Sequence, residues 1–114
     1  VFVERVDFIT SPGSTSPAVY RFGGPDKVIT PLCVMRFNPE TKQLELGGLN
    51  PGLSLDEVQQ QTGFPITLPA NARPETPPRI TPPTPEELEM LRSRVRREVA
   101  EVYPRFAAER LGAP

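Results

Sequence analysis

The sequence holds no histidine and no tryptophan, and only one cysteine, Cys33. Without histidine the commonest general base and the commonest zinc ligand are both missing. A Ser-His-Asp triad, a Cys-His dyad and a zinc site built from this chain alone are excluded, and no metal-ligating set is expected. One cysteine cannot close an internal disulfide, which fits a reducing, cytoplasmic setting. Charge of one sign is lacking too: 13 basic against 14 acidic side chains leave a net charge of −1. Neither a nucleic acid nor an anionic membrane is therefore expected as a partner. No run of about 18 apolar residues exists to span a bilayer. The chain opens on Val1 rather than Met, with no signal-peptide pattern, and is expected to be a processed product or a piece of a longer protein. Its 114 residues suit one domain and are marginal for two.

What is abundant is proline, 16 residues of 114. Half of them fall between Pro65 and Pro85. Proline lacks the N–H and restricts the residue before it, so this stretch is neither helix nor central strand. It is expected to run extended, partly as polyproline II, as a semi-rigid spacer over residues 69–83. A PxxP pattern of the kind that SH3-type domains bind is also present, but it recurs by chance.

Three β-type stretches come before it. Residues 1–10 are rich in Val, Phe and Ile and end in the turn chemistry of Ser11-Pro12-Gly13. Residues 11–25 hold three Gly and three Pro, too punctuated for regular structure. Residues 27–37 (KVITPLCVMRF) read as one strand apolar on both faces, with Pro31 marking a bulge or an edge. Asn38-Pro39-Glu40-Thr41 is a turn, and residues 42–46 (KQLEL) alternate, so the two are expected to pair as a hairpin. A short helix follows, with Ser54 as N-cap, Glu57 completing a capping box and Leu53 stapling onto Val58. Gly63 is expected to end it as a left-handed cap, and residues 64–68 (FPITL) read as a last short strand.

A second helix is marked at Thr84, with Pro85 at the first helical position and Glu87 as capping partner. Leu88, Leu91, Val95, Val99, Val102 and Phe106 recur three or four apart, one apolar stripe on a charged rod running to Leu111. Pro104 is expected to kink the rod and Gly112 to end it. Glu101 with Arg105, and Arg105 with Glu109, form i,i+4 pairs. A stripe of this size calls for a partner, either the chain's own sheet or another subunit. Six Arg are offset by six Glu on this segment, the pattern of a solvated face. Binding of a ligand's phosphates by Arg92, Arg96 or Arg97 is the minority alternative.

No catalytic constellation emerges from the residues themselves, so no catalytic residue is assigned. Glu4 and Asp7, three apart in an expected strand, point to opposite faces. Cys33 sits in an apolar run, which disfavours the thiolate and makes it inert. Gly23-Gly24 and Gly47-Gly48 read as turns before they read as ligand contacts.

The order of three segments does resemble a known family. VDFITSPG (Val6 to Gly13), PDKVITPLCVMRFNPETKQLEL (Pro25 to Leu46) and NPGLSLDEVQQQTGF (Asn50 to Phe64) resemble the C-terminal part of the β subunit of family I CoA-transferases. That family includes glutaconate and 3-oxoacid CoA-transferases and related steroid-ring CoA hydrolases. The resemblance runs from Val1 to about Leu91 and leans toward the glutaconate-type branch. It implies an α/β fold: the C-terminal portion of a Rossmann-like sheet over residues 1–68, followed by the Pro-rich segment and a C-terminal amphipathic helix over 84–112.

The resemblance also implies a mechanism, in which a β-subunit glutamate attacks an acyl-CoA thioester and glycine-rich backbone N–H groups hold the oxyanion. The Ser-Glu-Asn-Gly-like and Gly-x-Gly-Gly-like motifs that carry this chemistry are absent from these 114 residues. This chain alone is therefore expected to be inactive. Its expected role is to support CoA transfer between an acyl-CoA and a carboxylic acid, or acyl-CoA hydrolysis. CoA or acyl-CoA is then a substrate and no tightly bound cofactor is expected. The implied partner is an α subunit or the N-terminal part of the β subunit. Ser11, Pro12 and Gly13 are the candidate substrate-binding residues, because open α/β sheets take ligands beyond the carboxyl ends of their strands. A non-catalytic, partner-binding module on the same scaffold is the alternative.

Overall fold

The computed structural model describes residues 2–112. The chain is mixed α/β and divides into two compact units, Val1–Ile80 and Thr81–Pro114.

The first unit is built on a three-stranded antiparallel sheet in the order β1 (Lys27–Ile29), β2 (Cys33–Phe37), β3 (Leu44–Leu49). Residues 27–37 are thus two strands and not one. The chain reverses at Pro31-Leu32 because Thr30 supplies what a ladder would have supplied. Its hydroxyl donates to Cys33 O at 2.9 Å and accepts from Leu32 N and Cys33 N at 3.2 and 3.1 Å. Pro31 removes no needed donor there, and Asn50 Nδ2 donates to its carbonyl. The expected turn at 38–41 does pair β2 with β3. Asn38 Oδ1 accepts from Glu40 N and Thr41 N at 2.9 and 3.0 Å, and Lys42 takes a left-handed φ of 60° to re-enter the strand.

Between Val34 and Met35 the β2–β3 register shifts, so that Val34 faces Gly48 while Met35 faces Leu46. Gly47 is the extra residue of this bulge. Leu46 and Leu49 therefore both enter the core, which comprises Cys33, Met35, Leu46, Leu49 and Val58. Gly47-Gly48 is accordingly not a turn, and neither glycine has a positive φ. Gly48 admits a neighbouring segment: a Cβ there would stand 3.0 Å from Ile80 Cγ1 and 3.1 Å from Ile80 N.

That neighbour comes from the Pro-rich stretch expected as a spacer. Leu49 N donates to Pro78 O and Ile80 N to Leu49 O, both at 2.9 Å, a parallel pairing on the open edge of β3. Upstream, Leu46 N donates to Thr67 O at 2.8 Å. Residues 64–68 form this one parallel bridge and not a strand. Edge donors that would otherwise face water are satisfied by two short passes of the chain's own backbone.

The first helix, α1 (Leu55–Gln60), has the expected capping box. Glu57 N donates to Ser54 Oγ at 3.2 Å, and Ser54 N to Glu57 Oε2 at 2.7 Å. Asn50-Pro51-Gly52-Leu53 leads into it as a turn with Gly52 at φ 81°. The helix ends on Gln61, and Gly63 is not a left-handed cap. Instead Gly63 N donates to Phe2 O at 2.8 Å, and a Cβ at 63 would meet Glu4 N at 2.9 Å. That contact anchors a segment expected to be a strand. Among residues 2–10 only Phe2 makes a bridge, to Thr62, and the rest is irregular and exposed.

The second unit is a helical hairpin, where a single rod was expected. α2 (Pro85–Met90) opens on the Thr84–Glu87 capping box and runs through a π-helical turn, Leu91–Val95, into α3 (Arg96–Ala100). Tyr103 then leaves helical geometry (φ −128°, ψ 65°), and Pro104 starts α4 (Pro104–Arg110). Pro104 separates two helices rather than kinking one, as a residue without an N–H does at a first helical position. The break takes Val102 and Phe106 out of the stripe, and both are exposed, whereas Leu88, Val95 and Val99 are half-buried. It also separates Glu101 from Arg105. Arg105 pairs with Glu109 and Arg94 with Glu98, each at 2.8 Å, but no Glu101–Arg105 pair forms among the described residues.

Four expected outcomes follow from these contacts. Ser54→Ala removes the N-cap acceptor and is expected to cost about 0.5–2 kcal/mol, read from a urea midpoint. The bonds from Ser54 and Thr84 hold the Glu57 and Glu87 carboxyls below their ordinary value of 4.5. The stability they add is thus full above that value and lost as pH falls through the lower folded-state values, so Glu57→Gln is expected to flatten the acid limb of a stability–pH curve. Gly48→Ala is expected to cost about 1–3 kcal/mol by forcing Ile80 away. Gly13→Ala, where a Cβ would stand 3.8 Å from Pro25 Cγ, is expected to be close to neutral.

Candidate functional site

Residues 11–25 carry no helix or strand, yet they are not shapeless. Arg21 Nη1 donates to Pro12 O at 2.8 Å, and Gly23 turns the chain with φ 74°. Gly13 approaches Pro25 and Gly24, which closes the loop at its neck. Tyr20 and Phe22 stand edge to face, with ring centroids 4.9 Å apart and planes at 75°. The result is a cleft of about 590 Å³ between this loop and the β2–β3 turn. Arg21 and Lys42 bring positive charge to its lining and Asp26 a carboxylate, Ser14 and Thr15 bring hydroxyls, and Tyr20 and Phe22 bring apolar faces.

The predicted substrate contacts lie at this neck. Ser11, Pro12 and Gly13 are exposed and precede the first lining residue, Ser14. They do not follow a strand, because the described residues of the expected first strand, 2–10, form none, so the argument from strand ends no longer applies to them. Gly23 and Gly24 do line the cleft. Sequence reasoning misses Lys42, Tyr20 and Phe22. The signal available is Tyr20-Arg21-Phe22, two aromatics around a cation just before a glycine pair.

Other candidates are dispersed. Glu4 and Asp7 are both exposed on the irregular segment. Cys33 is fully buried in the core, out of reach of any substrate. Among the described residues no group of three or more Cys, Asp or Glu is placed to hold a metal ion. None of the described helices is long and apolar enough to cross a membrane. The cleft thus gathers two cations, one carboxylate, hydroxyls and two aromatic rings.

Over 83 residues the chain is 29% identical to the β subunit of glutaconate CoA-transferase from Acidaminococcus fermentans. The match takes in 67% of this chain and 31% of that polypeptide, so the chain spans about a third of its relative's length. No family model matches the chain, and no solved structure matches it. The similarity supports a relationship of the CoA-transferase kind and no finer assignment.

Full burial makes Cys33 a reporter of the core. Its alkylation by iodoacetamide is expected to be suppressed by orders of magnitude in native buffer relative to urea, because reaction then requires unfolding. Equal rates in the two buffers would contradict the packing described.

Proposed function

We propose that this chain is part of a CoA-transferase β-subunit-like protein and supports the movement of CoA between an acyl-CoA and a carboxylic acid, or acyl-CoA hydrolysis. The observation that carries this reading is the 29% identity to a CoA-transferase β subunit over 83 residues. Two features of the fold are those on which the resemblance was read, the paired β2–β3 hairpin and the capped helix α1. In this reading the first unit is the edge of a larger, Rossmann-like sheet. The attacking glutamate and the oxyanion-holding glycines come from outside these 114 residues, from the N-terminal part of the β subunit. CoA or its thioester is a substrate rather than a resident cofactor. The setting is the cytoplasm, in keeping with a single, buried thiol.

A second reading, a non-catalytic module that keeps the scaffold and binds a partner, is favoured by one observation. Phe8 and Ile9 are 78% and 73% exposed on the irregular N-terminal segment, apolar surface that a partner would cover.

The test has two arms. The chain alone, incubated with acyl-CoA and then borohydride, is expected to show no modified glutamate by mass spectrometry; a modified residue overturns the placement of the nucleophile elsewhere. In the second arm these residues replace the matching span of the glutaconate CoA-transferase β subunit. CoA transfer by the assembled hybrid is expected, and a folded, assembled but inactive hybrid favours the non-catalytic module.

A further inference from the structure

The helical unit has a cleft of its own, about 440 Å³, which the CoA-transferase reading does not use. Arg92, Arg96 and Arg97 face Pro104, Ala107 and Ala108 across it. The π-helical turn explains why three arginines meet. An α-helix aligns residues about four apart, and a wider turn aligns residues about five apart. Arg96 N accordingly donates to Leu91 O, five residues back. The side chains at 96 and 97 are thereby brought to flank the row of Arg92. The opposite wall is low because α4 supplies alanines, of which Ala107 is itself buried. At the end of α4, Gly112 takes a φ of 69°, and a Cβ there would stand 3.6 Å from Arg92 Nε.

No carboxylate is among the residues that line this cleft. Arg94 and Arg105 each have a carboxylate partner, but none of Arg92, Arg96 and Arg97 is ion-paired among the described residues. Arg97 is felt by Glu98, whose carboxylate is held low chiefly by its bond to Arg94. Arg96 Nε is moreover buried with no hydrogen-bond partner, a donor hidden from water and left unused. Buried donors are almost always satisfied, so this one is an unmet demand beside the cleft.

We infer that this cleft binds a tetrahedral oxyanion, either the phosphoryl group of a phosphate ester or free phosphate. Guanidinium forks match phosphate oxygens in pairs, and three guanidiniums at one opening favour a dianion over a single carboxylate. The short walls leave the space that such a group needs. The inference uses only residues of the helical unit, so its failure would leave the CoA-transferase reading standing.

The experiment is an amide-shift titration of the isotopically labelled full chain at constant ionic strength. Inorganic phosphate, pyrophosphate and adenosine 3′,5′-bisphosphate are the probes, with chloride as control. Saturable shifts are expected at residues 92–97 and 104–108. Arg96→Gln is expected to weaken binding about tenfold or more, the worth of a hydrogen bond to a charged group. Arg96→Lys should keep part of the affinity, and Arg110→Gln, which removes a charge outside the cleft, should keep all of it. Tighter binding of the bisphosphate than of pyrophosphate assigns the site to a nucleotide ester, and equal binding to free anions; both support it. Should Arg96→Gln lose its helical circular dichroism, Arg92→Gln and Arg97→Gln take its place. Absence of saturable shifts, or equal weakening by Arg96→Gln and Arg110→Gln, overturns the site.

Discussion

Leu46 and Leu49 are three residues apart on one strand, and both must reach the same buried face. A regular strand forbids this, because side chains alternate with a period of two. The extra residue at Gly47 resolves the conflict, shifting the phase of everything after it. Burying one leucine contributes roughly 1.5–3 kcal/mol, comparable to the margin by which a small domain is stable. With Leu49 turned inward, Leu49 N and O remain at the strand edge, where Pro78 and Ile80 pair with them. The core, the register and the placement of the Pro-rich stretch thus hang on one inserted residue. Glycine suits it: a Cβ at 47 would stand 2.8 Å from Arg36 Cγ.

Local chemistry was legible in the sequence. Both capping boxes, Ser54–Glu57 and Thr84–Glu87, are where the residue pattern puts them, because cap bonds span only three residues. The turn at Asn38 was legible for the same reason. Long-range backbone approach was not. Gly63 looks like a helix cap and Gly48 like half of a turn until the segments that crowd them, at Phe2–Glu4 and at Arg79–Ile80, are known. Apolar content also misleads. Residues 1–10 are apolar enough for a strand, but beyond the bridge at Phe2 the segment through residue 10 finds no pairing partner and is irregular. Pro31 looks like an interruption within one strand, whereas the Thr30 hydroxyl makes it the point of reversal.

The candidate site divides along the same line. Its neck, Ser11 to Gly13, was marked by turn chemistry, although for a strand that is not there. Its cations and aromatics lie up to 30 residues downstream of that neck and meet only through the closed loop, so no local pattern could join Lys42 to Tyr20. In the helical unit, Arg92, Arg96 and Arg97 were visible as charges on a face. Their convergence depends on a wide turn and a chain reversal at Pro104, neither of which charge spacing records.

The edge of β3 is closed by residues 67 and 78–80, which leave the ribosome after the strand they cover. For the time it takes to synthesise about thirty further residues, a hydrophobic hairpin has an unpaired backbone rim. That rim is the shape on which a second nascent chain adds itself. Proline density in the late-arriving segment then has a kinetic meaning: such a segment pairs over a few residues and cannot itself propagate a sheet, so the rim is capped by a piece that ends the ladder rather than extending it.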